Sequence, residues 1–117
     1  MDARAKLGRD GEDAAAAVLE RSGLRIVDRN FRCAEGEIDL VARRDDLLVF
    51  CEVKARRTTR WGDPSEAVGW AKRNRLRRLA AAWMNAHRPG PVDVRFDVVS
   101  VIVRGGQVAA RHLPDAF

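Results

Sequence analysis

Hydrophobic positions in this chain change period several times, and each change marks an element. From Ala3 to Ser22 the apolar residues recur at helical spacing, with Leu7, Gly11, Ala14 and Val18 on one face. Ser22-Gly23 closes that helix, Gly23 being suited to a left-handed cap. Alternation then predicts three strands in succession: Leu24 to Cys33 with a kink at Asp28 to Asn30, Glu37 to Arg43, and Leu47 to Ala55. Ala34-Glu35-Gly36 and Asp45-Asp46 supply the turns between them. A basic stretch, Arg56 to Pro64, breaks the pattern. A second helix, capped by Asp63 or Ser65, runs to about His87 with Val68, Leu76, Leu79 and Trp83 as its apolar stripe. Arg88-Pro89-Gly90-Pro91 stops it. Val94 to Val103, a Gly105-Gly106 turn and Gln107 to Leu113 complete the order α-βββ-α-β(β). That order predicts one α/β domain over residues 1–117, a mixed central sheet flanked by helices.

The third strand is the most apolar, yet it carries Glu52 and Lys54. Burying an acid or a base on such a strand is costly unless something compensates. Residues two apart project from one face, so Glu52 and Lys54 stand together, with Phe50. On the preceding strand Asp39 points away from Ile38 and Leu40 and shares its face with Glu37. If the two strands pair as a hairpin, Asp39 and Glu52 lie close across the ladder. Two carboxylates at that spacing repel unless a cation sits between them. Mg²⁺ fits such a site, because it takes hard oxygen ligands from one or two carboxylates plus waters and substrate phosphate. The bland reading is a pair of surface ion pairs on a solvated sheet face; the matching acids on both strands shift the balance toward a site.

Gly8-Arg9-Asp10-Gly11-Glu12-Asp13-Ala14-Ala15, Arg29-Asn30-Phe31-Arg32 and Gly36-Glu37-Ile38-Asp39-Leu40-Val41-Ala42 form the first half of an ordered motif set. Val49-Phe50-Cys51-Glu52-Val53-Lys54-Ala55-Arg56, Gly62-Asp63-Pro64-Ser65-Glu66-Ala67-Val68 and Arg95-Phe96-Asp97-Val98-Val99 form the second. With Asp39, Glu52 and Lys54 this set resembles the PD-(D/E)xK nuclease superfamily, whose fold is restriction-endonuclease-like. More closely it resembles the YraN-like family of small bacterial proteins, related to archaeal Holliday-junction resolvases. The resemblance implies Asp39 and Glu52 as ligands of Mg²⁺ or Mn²⁺, Lys54 as the catalytic lysine, and Glu12 as the extra catalytic acid of resolvase-like nucleases. Ile38 stands where the motif has proline, a common departure. Fold likeness alone carries activity only by analogy.

Two of these residues have competing readings. Glu12 lies at the edge of the first helix's apolar stripe, either a site acid or a solvated acid favoured by the helix dipole. Lys72 falls in the middle of the second helix's stripe. A lysine there usually snorkels, stem packed and head in water; the alternative has it reach phosphate in the cleft.

Charge supports a polyanionic partner. Lys and Arg number 22 against 17 Asp and Glu, a net +5 with pI near 10.2. Arg56, Arg57, Arg60, Lys72 and Arg75 are the nucleic-acid-binding candidates, and Trp61 is placed to stack on a splayed base. A packed, loop-anchoring Trp61 and a merely solubilising basic face are the alternatives. Arg73, Arg77 and Arg78 point away from the stripe, either as a solubilising face or, with Arg56, Arg57 and Arg60, as a track for a phosphate backbone. His87 and His112 have no partner spacing and receive no role. Cys33 and Cys51 lack metal or disulfide spacing and are expected as buried thiols. No apolar run approaches a membrane span, and no signal-peptide core is visible, so a cytoplasmic protein is expected. The expected function is metal-dependent hydrolysis of nucleic-acid phosphodiesters, DNA foremost, with branched or structured DNA implied by the resolvase resemblance. The alternative is a non-catalytic nucleic-acid-binding or repair-partner-binding module. At 117 residues little surface is left for reading bases, which suggests a homodimer on a duplex.

Overall fold

The computed structural model describes residues 3–57 and 70–116. Helix α1 (Ala3–Arg21) leads into three strands, β1 (Arg25–Cys33), β2 (Gly36–Arg44) and β3 (Leu47–Arg56). Helix α2 (Trp70–His87) then crosses to β4 (Asp93–Arg104), and β5 (Gln107–Leu113) closes the chain order. The expected cap of α2 at Asp63 or Ser65 lies outside the described residues, as do Arg60, Trp61 and Val68.

The strands form one mixed sheet in the order β1-β2-β3-β4-β5. Among the described strands only β3 and β4 run parallel; the other neighbours are antiparallel. A parallel pair needs a long crossover, and α2 supplies it. This α/β architecture, with helices on both faces, agrees with the restriction-endonuclease-like arrangement expected.

Strand β3 sits at the centre of the sheet, which explains why it is apolar on both sides. Val49 and Cys51 pack beneath α1 with Ala15, Leu19, Leu40, Val99 and Val101. Leu48 and Phe50 pack beneath α2 with Ile38, Val41, Leu76, Leu79 and Trp83. Cys51 is buried and Cys33 half-buried, both unbridged. Burial pushes the Cys51 thiol well above its ordinary pKa, so it is unreactive.

The end of α1 is built as expected. Gly23 has φ of 94°, and Leu24 N–H and Gly23 N–H donate to Leu19 O and Glu20 O at 3.1 and 3.0 Å. This is the Schellman arrangement, which needs a residue tolerant of the left-handed region. The buried face of α1 differs from the expected one. It carries Gly11, Ala15, Ala16 and Leu19, whereas Leu7, Ala14 and Val18 are only half-buried. A run of four alanines offers two equivalent faces, and packing against β3 selects between them.

That packing is close. A Cβ added at Gly11 would lie 2.5 Å from Ala55 Cβ. A helical glycine costs roughly 0.5–1 kcal/mol relative to alanine, and here it lets α1 approach the sheet. Strand β1 bulges between Ile26 and Asp28, and Asn30 adopts φ of 54°, so the kink expected near these residues is real.

Candidate active site at the fork between two strands

The β2–β3 ladder runs from Arg44↔Leu47 to Leu40↔Cys51 and stops. Beyond it β2 continues beside β1 as far as Gly36, while β3 continues beside β4 as far as Arg56. The sheet therefore forks at the next pair of positions, Asp39 and Glu52. At the fork Asp39 Oδ2 accepts the Val53 N–H at 2.8 Å, replacing the missing carbonyl.

One expectation about faces fails here. Ile38 and Leu40 were expected together, but Ile38 packs on the α2 side and Leu40 on the α1 side. β2 twists about Asp39 as it leaves β3, so the simple alternation of a flat strand does not hold through the fork.

Asp39 is half-buried and surrounded by acids. Burial is the main reason its pKa rises to about 6; the Val53 amide opposes this, and Glu52, Glu37 and Glu12 add to it. Glu52 lies on the α2 face of β3. Its Oε1 meets Lys54 Nζ at 3.0 Å and Lys72 Nζ at 2.5 Å. Its Oε2 is buried and has no hydrogen-bond partner among the described residues. Lys72 thus does not snorkel into water: its ammonium turns inward onto Glu52. Burial lowers the Lys72 pKa, the adjacent Lys54 works in the same direction, and Glu52 opposes them.

Glu12 joins this group from the other face. The close approach at Gly11 brings the next residue of α1 over the opening. Asn30 Nδ2 donates to Glu12 Oε1 at 3.1 Å, and Arg29 Nη1 lies 3.6 Å from the same oxygen. Glu12 and Asp39 line one cleft with Glu37, Val53 and Ala55. The structure thus brings Glu12, Asp39, Glu52, Lys54 and Lys72 around the fork.

The other basic candidates are not drawn in. The Arg75 stem lies near Gly36 at the β1–β2 turn. Arg56 ends β3 opposite Ile102, and Arg57 follows it exposed. On the outer face of α2, Arg78 pairs with Glu35 at 3.0 Å.

Among the described residues no three His, Cys, Asp or Glu side chains converge into a metal cage. The donor set at the fork is nonetheless one that a magnesium-type ion accepts, two carboxylates with the remaining positions left to water and phosphate. A buried carboxylate oxygen without a partner among the described residues and an acid crowded by acids are both compatible with cation binding.

A second charged cluster was not anticipated. Asp97, fully buried on β4, accepts both Arg95 Nε and Nη2, at 2.8 and 2.9 Å, and the Asp115 amide at 3.0 Å. His112 Nε2 lies 2.6 Å from its Oδ2. Burial alone would raise the Asp97 pKa, but Arg95, the Asp115 amide and His112 together hold it below the usual range. His112 therefore has a structural partner, as does His87, which stacks on Trp83 at 4.1 Å. Trp83 Nε1 in turn donates to Asp28 at 2.8 Å. The signal for Asp97 was available: an acid inside Phe96-Asp97-Val98-Val99 is as anomalous as Glu52.

Comparison with known proteins covers all of the fork. A family model described as "Uncharacterised protein family UPF0102" matches residues 11–101. A UPF0102 protein of Arthrobacter sp. (strain FB24) is 53% identical, with 97% of each chain covered. One from Streptomyces griseus is 51% identical over 96% of each. One from Myxococcus xanthus is 46% identical over 97% of this chain and 90% of its own.

Proposed function

The chain belongs to the UPF0102 family, and we propose that it is a divalent-metal-dependent nuclease hydrolysing nucleic-acid phosphodiesters. The observation that carries the reading is the fork itself: Asp39 and Glu52 follow the last β2–β3 pair, Asp39 feels the Glu52 charge, Lys54 sits on Glu52, and one Glu52 oxygen is buried without a partner among the described residues. Such a set has little use in a merely structural sheet, where an unpaired buried carboxylate oxygen is a net cost.

Asp39 and Glu52 would hold Mg²⁺ or Mn²⁺, which when bound supplies polarisation of the phosphate and a more acidic water. Val53 N–H fixes the Asp39 carboxylate, so its orientation is set before any ligand arrives. Lys54 stabilises the negative charge that develops on the phosphate. Lys72 occupies the same Glu52 oxygen and would move to the phosphate as substrate binds. Glu12, held by Asn30, aims a third acid at the opening. Among the described residues the fork offers no base-reading element, which favours recognition of the structure of the nucleic acid over its sequence. Branched DNA is the substrate to try first, and a homodimer the assembly to look for by sedimentation.

The competing reading is a non-catalytic module binding nucleic acid or a repair partner. The observation that favours it is the double lysine contact on Glu52, which a silent site would retain as an ion-pair cluster.

The deciding experiment combines Mn²⁺ calorimetry with cleavage of branched, single-stranded and duplex DNA in Mg²⁺. Wild type is expected to bind metal and cut. Glu52→Gln is expected to stay folded and lose both. Nucleic-acid binding without cleavage, indifferent to Glu52→Gln, would leave the binding module standing.

A further inference from the structure

The cleft that holds Glu12 and Asp39 has a volume of about 760 Å³ and lies between the first half of α1 and strands β1, β2 and β3. That is within the usual range for ligand clefts. Its charged lining is unlike the outer face of α2. Three arginines face it, Arg9, Arg29 and Arg32, against four acids, Glu12, Asp13, Glu37 and Asp39. The arginines are mostly engaged. Arg29 Nη1 meets Asp13 Oδ1 at 3.0 Å as well as Glu12, and Arg32 Nε meets Glu37 Oε2 at 3.0 Å. Arg9 makes no ion pair among the described residues.

We infer that this cleft, and not the basic face of α2, is where the phosphate backbone of nucleic acid binds, and that it does so only with a divalent cation in place. The inference rests on the metal reading of Asp39. With all seven groups charged, the lining carries a net −1 and repels a polyanion. One divalent cation on Asp39 turns that to +1. With a cation held there, Glu12 and Glu37, two of the acids that Asp39 already feels, would turn toward it and away from Arg29 and Arg32. Those guanidiniums then have their forked donors available for phosphate oxygens. Arg9 lies on α1 three and four residues before Glu12 and Asp13, at the cleft edge, where it meets the backbone first.

The α2 face lacks this arrangement. Arg73, Arg77 and Arg78 are exposed, and Arg78 is tied to Glu35. They raise the overall positive field from the outer face of α2. Arg9 and Arg32 are themselves exposed, so reversing their charge leaves the core intact.

The test is fluorescence anisotropy with labelled four-way-junction, single-stranded and duplex DNA. It is run in EDTA and in millimolar Ca²⁺, chosen to support binding without turnover. Wild type is expected to bind at least tenfold more tightly in Ca²⁺. The pair Arg9→Glu and Arg32→Glu is expected to lose tenfold or more of that affinity, with a salt slope shallower by roughly two. The pair Arg73→Glu and Arg77→Glu is expected to stay within about twofold of wild type, the allowance for long-range charge. A larger loss from the α2 pair, or equal affinity with and without Ca²⁺, overturns the inference. If wild type cuts DNA while the cleft pair binds and cuts normally, the inference falls and the nuclease reading stands. If no DNA form binds at low salt with Ca²⁺, both fall.

Discussion

The carboxylate of Asp39 accepts the backbone amide of Val53 at 2.8 Å, and so stands in for a strand carbonyl at the point where β2 and β3 part. A side chain that completes a ladder is fixed as firmly as the ladder. The cost is that this acid sits half-buried among Glu52, Glu37 and Glu12 with its pKa raised from 3.8 to about 6.

That rise has a definite sign for stability. A carboxyl whose pKa is higher folded than unfolded binds its proton more tightly in the fold, so its contribution favours folding at acid pH. The contribution is lost as pH rises through 3.8 to about 6. Above that window the ionised group opposes folding by up to about 3 kcal/mol. Asp39→Asn keeps an acceptor for Val53 and removes the charge. In urea titrations at pH 7.5 without metal it is expected to be more stable than wild type by about 1–3 kcal/mol. The two curves are expected to converge near pH 4. A less stable variant at pH 7.5 would show that the hydrogen bond outweighs the repulsion.

Lys72 and a metal ion would compete for Glu52. Lys72→Met keeps the packed stem and removes the ammonium. Mn²⁺ affinity, read by calorimetry, is expected to rise roughly tenfold, since a like charge near the ion has gone. Cleavage is expected to fall. Metal affinity unchanged or weaker would mean that Lys72 does not guard Glu52.

Gly11 faces Ala55 at a distance no Cβ tolerates. Gly11→Ala gains helix propensity yet meets the β3 backbone region, and a net loss of about 1–3 kcal/mol is expected. Ala55→Gly in the same chain should restore part of that loss. A double-mutant cycle by thermal unfolding measures it, and strict additivity of the two changes would refute the contact.

Asp97→Ala leaves Arg95 without its bidentate partner and frees the backbone at Asp115. The expected loss is about 3 kcal/mol, in the range for breaking a buried pair. Because the Asp97 pKa is depressed in the fold, this stabilisation is present above the ordinary carboxylate pKa. It disappears as pH falls below about 4 toward the folded value. Wild type and variant are therefore expected to differ in urea midpoint at neutral pH and to approach each other in acid.

The elements and their order were legible because period changes and turn residues agree along the whole chain. Asp39, Glu52 and Lys54 were legible for one reason: charge on an apolar strand needs an explanation. The fork was not legible, because nothing in a single strand says where its partner leaves it. Helical spacing gave Lys72 its face but not its reach. Arg9, Arg29 and Arg32 meet only because α1, β1 and β2 converge, a property of assembly and not of any segment. The four alanines of α1 left its buried face undetermined until β3 chose it.

The single parallel pairing has a consequence for how the protein reaches its fold. β1, β2 and β3 follow one another through two-residue turns, so their contacts close short loops. Pairing β3 with β4 joins Leu47 to Asp93, a much longer loop with a larger closure entropy. The three-stranded meander is therefore expected to form before the crossover docks, and pulse-labelled hydrogen exchange would see β1–β3 amides protected ahead of those in β4. Asp39 and Glu52 both belong to the meander. Their mutual repulsion would be met early, while water still screens them, and the low-dielectric surroundings would be added only when β4 and α2 close over β3.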